Sequence, residues 1–188
     1  MFVSDIPRFL VWADTPPGLT FTFMIYKETQ MQTQATRPYV VAAGEGEGIW
    51  FLNTLFTVKA GADQTEGNFT FMEQTCPAGF APPRHVHFAE TEAFYMLDGR
   101  VTVCCGDIER VLLPGDFVLL PRGIPHGFQV SEDGPARFIH LTSPGQFDHF
   151  AREIGEPAKE LTLPEPGDID LPKFLRTLPE YELEVFSE

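Results

Sequence analysis

Short apolar segments separated by turn residues fill the middle of the chain. Seven of these segments are rich in β-branched and aromatic residues, and from the second onward successive ones begin about ten residues apart. The predicted strands are residues 68–76, 92–97, 100–105, 108–113, 116–121, 126–130 and 136–143. Their connectors carry the Gly, Pro and Asp residues that tight turns require. The pattern predicts an all-β fold, either a sandwich or a small antiparallel barrel.

The pattern becomes helical after Pro144. Residues 146–155 carry apolar side chains at helical spacing and end at a glycine, which predicts an amphipathic helix. Residues 171–181 contain prolines near both ends and predict a second short helix. We therefore expect a barrel domain over residues 31–145 and a C-terminal helical segment, residues 146–188, packed on it.

The first thirty residues follow no clear pattern, although residues 19–26 could add a strand. Met31 opens a segment that reads like a normal start of translation. We hypothesise that translation begins at Met31, which leaves residues 1–30 as an N-terminal extension whose place in the native protein is open.

Length and charge narrow the classes of function. A chain of 188 residues is long enough for one domain with a substantial core. Its formal net charge of -14 disfavours nucleic acid and anionic lipid as partners, because such binding depends on Lys and Arg. No apolar run approaches the ~20 residues that cross a bilayer, and the three cysteines suggest no disulfide framework. We expect a cytoplasmic protein.

Two histidines separated by a single residue are the first candidate functional residues. Side chains alternate between the faces of a strand, so His85 and His87 project to the same side, roughly 6 to 7 Å apart. Glu92 follows after a short bend, and His126 follows a turn rich in Pro and Gly. Three imidazoles and one carboxylate suit a divalent first-row ion such as Fe, Mn, Co, Ni, Cu or Zn, with positions left for water or substrate.

These four residues also fall within two spaced motifs. The form G-x5-H-x-H-x4-E-x6-G is matched by Gly79, His85, His87, Glu92 and Gly99. The form G-x5-P-x-G-x2-H-x3-N is matched by Gly115, Pro121, Gly123 and His126, with Val130 in place of the asparagine. These are the signature motifs of the cupin superfamily. The flanking residues 39–73, 143–164 and 173–185 resemble those of the single-domain bacterial quercetinases.

The resemblance implies a small antiparallel cupin barrel, or jelly roll, with short C-terminal helices. It implies one divalent metal ion, Ni, Mn, Fe or Co, held by His85, His87, Glu92 and His126. The implied activity is a dioxygenase reaction, in which O2 cleaves a quercetin-like flavonol or a related phenolic substrate. Glu92 would serve as both metal ligand and general base for the substrate hydroxyl. We also expect a homodimer.

Several further residues lie near the motif positions. A flat aromatic pocket could include some of Phe80, Phe88, Phe94, Tyr95, Phe117 and Phe128, although core packing is the more common role for such residues in a small barrel. His140, His149 and Glu90 fall outside the motif spacing. We interpret the two histidines as structural residues and Glu90 as a solvated one.

Two other classes of function remain open at this point. A cupin of another class, such as an isomerase, an epimerase, a cyclase or a dioxygenase for another phenol or a diketone, would keep the metal site and change the pocket. A small-molecule sensor or binding module would use the barrel without chemistry. Turnover of a flavonol under air, with release of carbon monoxide, separates the leading interpretation from both.

Overall fold

The computed structural model describes residues 37–186, which form two antiparallel sheets with two short helices. The strands are β1 Glu47–Phe51, β2 Thr54–Ala60, β3 Thr70–Cys76, β4 His85–His87, β5 Thr91–Asp98, β6 Val101–Cys105, β7 Ile108–Leu112, β8 Phe117–Leu120, β9 His126–Val130, β10 Ala136–Ser143, β11 Glu156–Pro157 and β12 Leu183–Val185. The helices are α1 Phe147–Ile154 and α2 Leu171–Thr177, and the 3₁₀ turn Leu178–Tyr181 follows α2. The hypotheses on residues 1–30 and on Met31 concern residues outside the described ones.

The seven predicted strands are all present, with ends that differ from the prediction by at most two residues. One sheet has the order β11-β1-β2-β3-β10-β5-β8, and the other has the order β12-β4-β9-β6-β7. The prediction of an all-β cupin jelly roll with short C-terminal helices is confirmed.

Two features differ from the sequence-based expectation. The hairpin of β1 and β2 was not assigned, because its two turn residues are Leu52 and Asn53 rather than a glycine-containing pair. Both turn residues have positive φ, 49° and 62°, as a type I′ turn requires. The C-terminal segment is not purely helical, since β11 pairs with β1 and β12 pairs with β4. The domain boundaries at residues 31, 145 and 188 stay a prediction.

Apolar side chains form two separate clusters. The barrel cluster lies entirely on strands and consists of Cys76, Phe94, Met96, Val101, Val103, Leu112, Leu120, Val130, Ala136 and Phe138. The cover cluster joins β1, β2 and β3 to the C-terminal segment and consists of Ile49, Phe51, Phe56, Val58, Met72, Phe147, Phe150, Ala151, Phe174, Leu178 and Leu183. The C-terminal segment is therefore part of the apolar interior.

The last glycine of the first motif has a steric role. Gly99 follows Asp98 in the turn between β5 and β6 and has a φ of 77°, which L side chains rarely adopt. A Cβ atom at this position would also collide with the carbonyl oxygen of Pro135. This glycine lets β5, which carries Glu92, turn back tightly into β6.

Candidate metal centre

Three strands bring the four predicted ligands together. His85 and His87 lie on β4, Glu92 lies on β5, and His126 lies on β9 directly opposite His85. One ligand atom from each residue lies within 4.8 Å of the other three. His87, Glu92 and His126 are each at most 4% exposed. The two histidines of β4 point into the same cavity, as the strand alternation predicted.

The spacing of these atoms fits a first-row metal ion. Two ligand atoms on opposite sides of such an ion, each about 2.1 Å from it, are about 4.2 Å apart. The observed upper limit of 4.8 Å therefore needs only a small contraction to give an intact coordination shell. Three imidazole nitrogens and a carboxylate oxygen also match the ligand preference of these ions. The cluster could hold a divalent transition metal ion.

Backbone contacts fix the ring orientation of two histidines. The Nδ1–H of His85 donates to the carbonyl oxygen of Pro83 at 2.9 Å, and the Nδ1–H of His126 donates to the carbonyl oxygen of Ile124 at 2.9 Å. We assign these tautomers from the acceptor, since a carbonyl oxygen can only accept. The Nε2 atom of each neutral ring then carries a free lone pair, as metal binding requires.

Glu90 fixes the ring orientation of His87 and also contacts the start of helix α1. The Nδ1–H of His87 donates to Oε2 of Glu90 at 3.3 Å. Oε1 of Glu90 accepts from the backbone N–H groups of Gln146 and Phe147, at 3.2 and 3.1 Å. Helix α1 has no side-chain cap of its own at Gln146, so Glu90 supplies the missing cap. One buried carboxylate thus joins a candidate ligand to the helix beside it.

The two oxygen atoms of Glu92 have different partners. Oε1 accepts a hydrogen bond from Nε2 of His140. Oε2 lies 3.1 Å from Nε2 of His126, yet the two atoms are not aligned for a hydrogen bond, and neither has another partner among the described residues. A buried lone pair beside a buried carboxylate oxygen is unfavourable unless a proton or a metal ion lies between them. These two unpaired atoms are the observation that best fits a metal ion.

The ionisation states of Glu92 and His85 suit the same role. Burial alone would raise the pKa of Glu92, but the nearby His140, His126 and His87 outweigh it and hold this pKa well below its usual range. Burial lowers the pKa of His85 to about 4. Burial also opposes the charge on His126, but the Glu92 carboxylate outweighs it and raises the pKa of His126. At neutral pH, Glu92 is therefore ionised and His85 is neutral, which are the forms that bind metals.

An apolar cavity of about 60 Å³ adjoins the ligands. Its walls include His85, His87, Glu92, His140 and Gln74 as polar groups, together with seven members of the cover cluster. The apolar wall residues from that cluster are Phe51, Phe56, Phe147, Phe150, Phe174, Leu178 and Leu183.

The six aromatic residues proposed for a pocket take three kinds of position. Phe80 and Phe128 line the cavity. Phe94 is 1% exposed, belongs to the barrel cluster and does not line the cavity. The other three are half-exposed and lie outside the cavity wall: Phe88 at 51%, Tyr95 at 46% and Phe117 at 61%. Proximity in sequence to a ligand was a poor guide here, because alternate residues of a strand face opposite sides.

Sequence reasoning misplaced Glu90 and understated His140. Glu90 is 1% exposed and bonded to His87, so its interpretation as a solvated residue is wrong. His140 is fully buried, as a structural residue would be, but it also contacts the candidate ligand Glu92. The alternation of side chains along β10 could have indicated that His140 points inward, since it shares the inward face of this strand with Phe138. His149, with a side chain 43% exposed beside Asp63, is remote from the candidate ligands.

Comparisons with known proteins agree with the fold and the motifs. The family described as "Cupin domain" matches residues 72–142. Quercetin 2,3-dioxygenase of Bacillus subtilis (strain 168) is 29% identical over 151 residues, which are 80% of this chain and 44% of the relative. The chain therefore spans less than half the length of that curated relative. No helix among the described residues is long and apolar enough to cross a membrane.

A solved structure with a TM-score above 0.5 has the same fold at low sequence identity. An RmlC-like cupin from Shewanella frigidimarina NCIMB 400 is 17% identical, with a TM-score of 0.51 over 61% of this chain and 99% of that one. KdgF from Halomonas sp. is 22% identical, with a TM-score of 0.46 over 52% of this chain and 85% of that one. The chain therefore has a cupin domain match and a cupin-like fold, and it resembles quercetin 2,3-dioxygenase of Bacillus subtilis.

Proposed function

We propose that this protein is a metal-dependent dioxygenase that cleaves a quercetin-like flavonol or a related phenolic substrate with O2. The observation that carries the proposal is the cluster of three histidines and Glu92, whose candidate ligand atoms lie within 4.8 Å of one another beside an apolar cavity. The similarity to a quercetin 2,3-dioxygenase supports this choice of substrate class. The proposed ligands are His85, His87, Glu92 and His126, and the proposed ion is Ni, Mn, Fe or Co.

Glu92 is the proposed general base. Its carboxylate is ionised at neutral pH, and Oε2 has no hydrogen-bond partner among the described residues, so this oxygen is free to accept the proton of the flavonol hydroxyl. A bound divalent cation would act as a Lewis acid and make that hydroxyl more acidic. A carboxyl with a low pKa is a weak base, so this assistance is what makes the transfer favourable. Phe147 and Phe150 exclude water from the same space.

The overall reaction is balanced without a reductant. The flavonol supplies the electrons, both atoms of O2 are incorporated, two carbon–carbon bonds of the central ring break, and one carbon leaves as carbon monoxide. The protein has to orient the flat substrate and shield the reacting carbons. An apolar wall with few polar groups suits both tasks.

The cavity volume sets a condition on this proposal. Pockets for ligands of flavonol size measure roughly 300–1,000 Å³, whereas the cavity measures about 60 Å³. A flavonol therefore requires the wall to move outward. The wall part built from α2, the 3₁₀ turn and β12 is the best candidate, because β12 is a three-residue strand that pairs only with β4 among the described strands.

The test is turnover of quercetin under air by protein loaded separately with Ni, Mn, Fe or Co. We expect the flavonol absorbance to fade and carbon monoxide to form in an amount equal to the O2 consumed. Protein that binds metal but consumes neither flavonol nor O2 with any of these ions would rule out the proposed activity.

The Glu92→Gln variant separates the role of Glu92 as general base from its role as metal ligand. The variant keeps an oxygen donor, so we expect metal to remain bound while kcat falls by roughly 10²–10⁴-fold. Glu109→Gln, a matched change on the exposed face of β7, is the control and should retain full activity. Equal kcat in both variants would exclude Glu92 as the base.

A second candidate follows from the small cavity. A cupin enzyme acting on a compact substrate, such as a short diketone, would need little or no outward movement of the wall. Turnover of a short 1,3-diketone without turnover of quercetin would favour this candidate. A non-enzymatic binding module would bind either compound and leave its absorbance unchanged over hours.

We also propose that the protein is a homodimer. Phe117 and Leu119 on β8, with Tyr95 beside them on β5, expose three large apolar side chains on one outer face. Strand β8 is also an edge of its sheet within the described residues, and exposed edges favour pairing with a second chain. Sedimentation should give a dimer for the wild type and a monomer for Phe117→Glu, and a monomeric wild type would refute the proposal.

A cytoplasmic location is part of the same proposal. The cysteines Cys76, Cys104 and Cys105 are all free thiols. Free thiols suit a reducing compartment. Fractionation of the native host, with detection of the protein by antibody, tests this directly.

A further inference from the structure

His140 stands at a position where a purely apolar residue would pack equally well. Its ring is fully buried among phenylalanines, with centroids 5.3 Å from Phe56, 5.5 Å from Phe94 and 4.6 Å from Phe147. Its Nδ1 atom has no hydrogen-bond partner among the described residues. A buried polar atom without a partner costs about 1–3 kcal/mol. Packing alone therefore does not explain a histidine here.

The explanation lies at the opposite ring nitrogen. Nε2 of His140 donates to Oε1 of Glu92, and both residues are inward-facing on the paired strands β10 and β5. Because an ionised carboxylate can only accept, the proton of this bond belongs to Nε2 of His140. Oε1 is thereby engaged, whereas Oε2 has no hydrogen-bond partner among the described residues and lies 3.1 Å from Nε2 of the candidate ligand His126.

We propose that His140 is a positioning residue that makes Glu92 a ligand through one oxygen only. Its hydrogen bond restrains rotation of the carboxylate and prevents both oxygens from reaching the cation. This arrangement also keeps Oε2 as the single atom through which Glu92 both binds the ion and accepts the substrate proton. The inference deepens the proposed function, because it depends on the metal centre proposed above.

Two substitutions of His140 separate its hydrogen bond from its packing. His140→Phe keeps a ring of similar size against the three phenylalanines and removes the donor. His140→Gln replaces the ring but returns an N–H donor near the position of Nε2. A purely structural role predicts that Phe is tolerated better than Gln, whereas the positioning role predicts the reverse.

The readout is the visible spectrum of the cobalt(II)-loaded protein, which reports coordination number and geometry independently of activity. We expect His140→Gln to reproduce the wild-type spectrum. We expect His140→Phe to give a changed spectrum as Glu92 binds through both oxygens, with cobalt affinity altered by roughly 10–100-fold. A wild-type spectrum and affinity in His140→Phe would overturn the role of His140.

Failure of the metal centre itself gives a different result. Wild-type protein that binds no cobalt would overturn the proposed centre and this inference together, whereas normal cobalt binding with three identical spectra would overturn only the inference. Should His140→Phe fail to fold, nitrogen-15 NMR of histidine in the zinc-loaded wild type decides. We expect the proton of His140 on Nε2 and a bare Nδ1, and a proton on Nδ1 with a bare Nε2 would overturn the proposal.

Discussion

The barrel cluster and the cover cluster are built from different parts of the chain. The barrel cluster draws on strands alone, from β3 to β10. The cover cluster takes six of its eleven members from the segment after Pro144. It is therefore complete only when this C-terminal segment packs on the strands. No member of the barrel cluster lines the cavity, whereas seven members of the cover cluster do.

The two clusters therefore affect the candidate site in different ways. The barrel cluster includes residues of β5 and β9, the strands that carry Glu92 and His126, and so helps to hold these two candidate ligands in place. The cover cluster determines the size and shape of the space beside them. Changes in the first region should act mainly on stability, and changes in the second should act mainly on which substrate fits.

The largest expected effect is on the stability of the barrel cluster. Phe138 is fully buried and lies 4.7 Å from the ring of Phe94, so Phe138→Ala should lower the free energy of unfolding by about 3–5 kcal/mol. Phe174→Ala, in the short helix α2 of the cover cluster, should have a smaller effect because neighbouring chain can collapse into the gap. Urea unfolding of both variants measures the difference. Equal losses would remove the contrast between the clusters.

The barrel cluster was also the region that the sequence predicted best. Seven strands were assigned because their apolar residues alternate or run continuously between Gly-, Pro- and Asp-containing turns. The candidate ligands were found because two short motifs fix their spacing within strands, where a two-residue period decides the direction of each side chain. The local sequence pattern was sufficient to predict both the strands and the candidate ligands.

The cover cluster could not be predicted in this way. Strand β12 is only three residues long, and its pairing with β4 brings together positions almost one hundred residues apart. Glu90 was assigned to solvent because the helix end that buries it, at Gln146 and Phe147, is distant in sequence. These contacts depend on how the C-terminal segment docks, and no periodicity within either segment encodes that docking.

Glu90 links the two regions, and its removal is expected to have the next largest effect. Glu90→Gln keeps the shape of the side chain but removes the charge that caps α1 and orients His87. We expect metal affinity to fall by roughly 10–100-fold and the free energy of unfolding to fall by about 1–2 kcal/mol. Metal titration and urea unfolding on one preparation measure both.

An exposed carboxylate provides the control for that change. Glu109→Gln on β7 alters the net charge equally without touching either cluster. If Glu90→Gln lost stability but kept its metal affinity, the contact between Glu90 and His87 would not contribute to metal binding. The two regions would then be energetically independent.

A smaller effect is expected on the preference for guests. Leu178→Ala removes bulk from the cover wall of the cavity, so quercetin should bind more tightly by up to roughly tenfold. Leu112→Ala removes the same side chain from the barrel cluster, away from the cavity, and should leave quercetin affinity unchanged. Fluorescence titration without O2 measures both affinities. Weaker quercetin binding in Leu178→Ala would mean that the cover holds the substrate instead of obstructing it.

The smallest expected effect concerns pH and the polar edge of the cover region. Arg152 on α1 donates to both oxygens of Glu47 on β1, and this hydrogen-bonded pair holds the pKa of Glu47 below its ordinary value of 4.5. Because the folded-state pKa is the lower one, ionised Glu47 stabilises the fold above about pH 4.5, and this contribution is lost as pH falls through the folded value. Half-exposed pairs of this kind contribute about 0.2–1 kcal/mol. Thermal unfolding of Glu47→Gln should therefore match the wild type at the acid end and fall below it at pH 7, whereas a constant difference at every pH would assign the effect to packing rather than to charge.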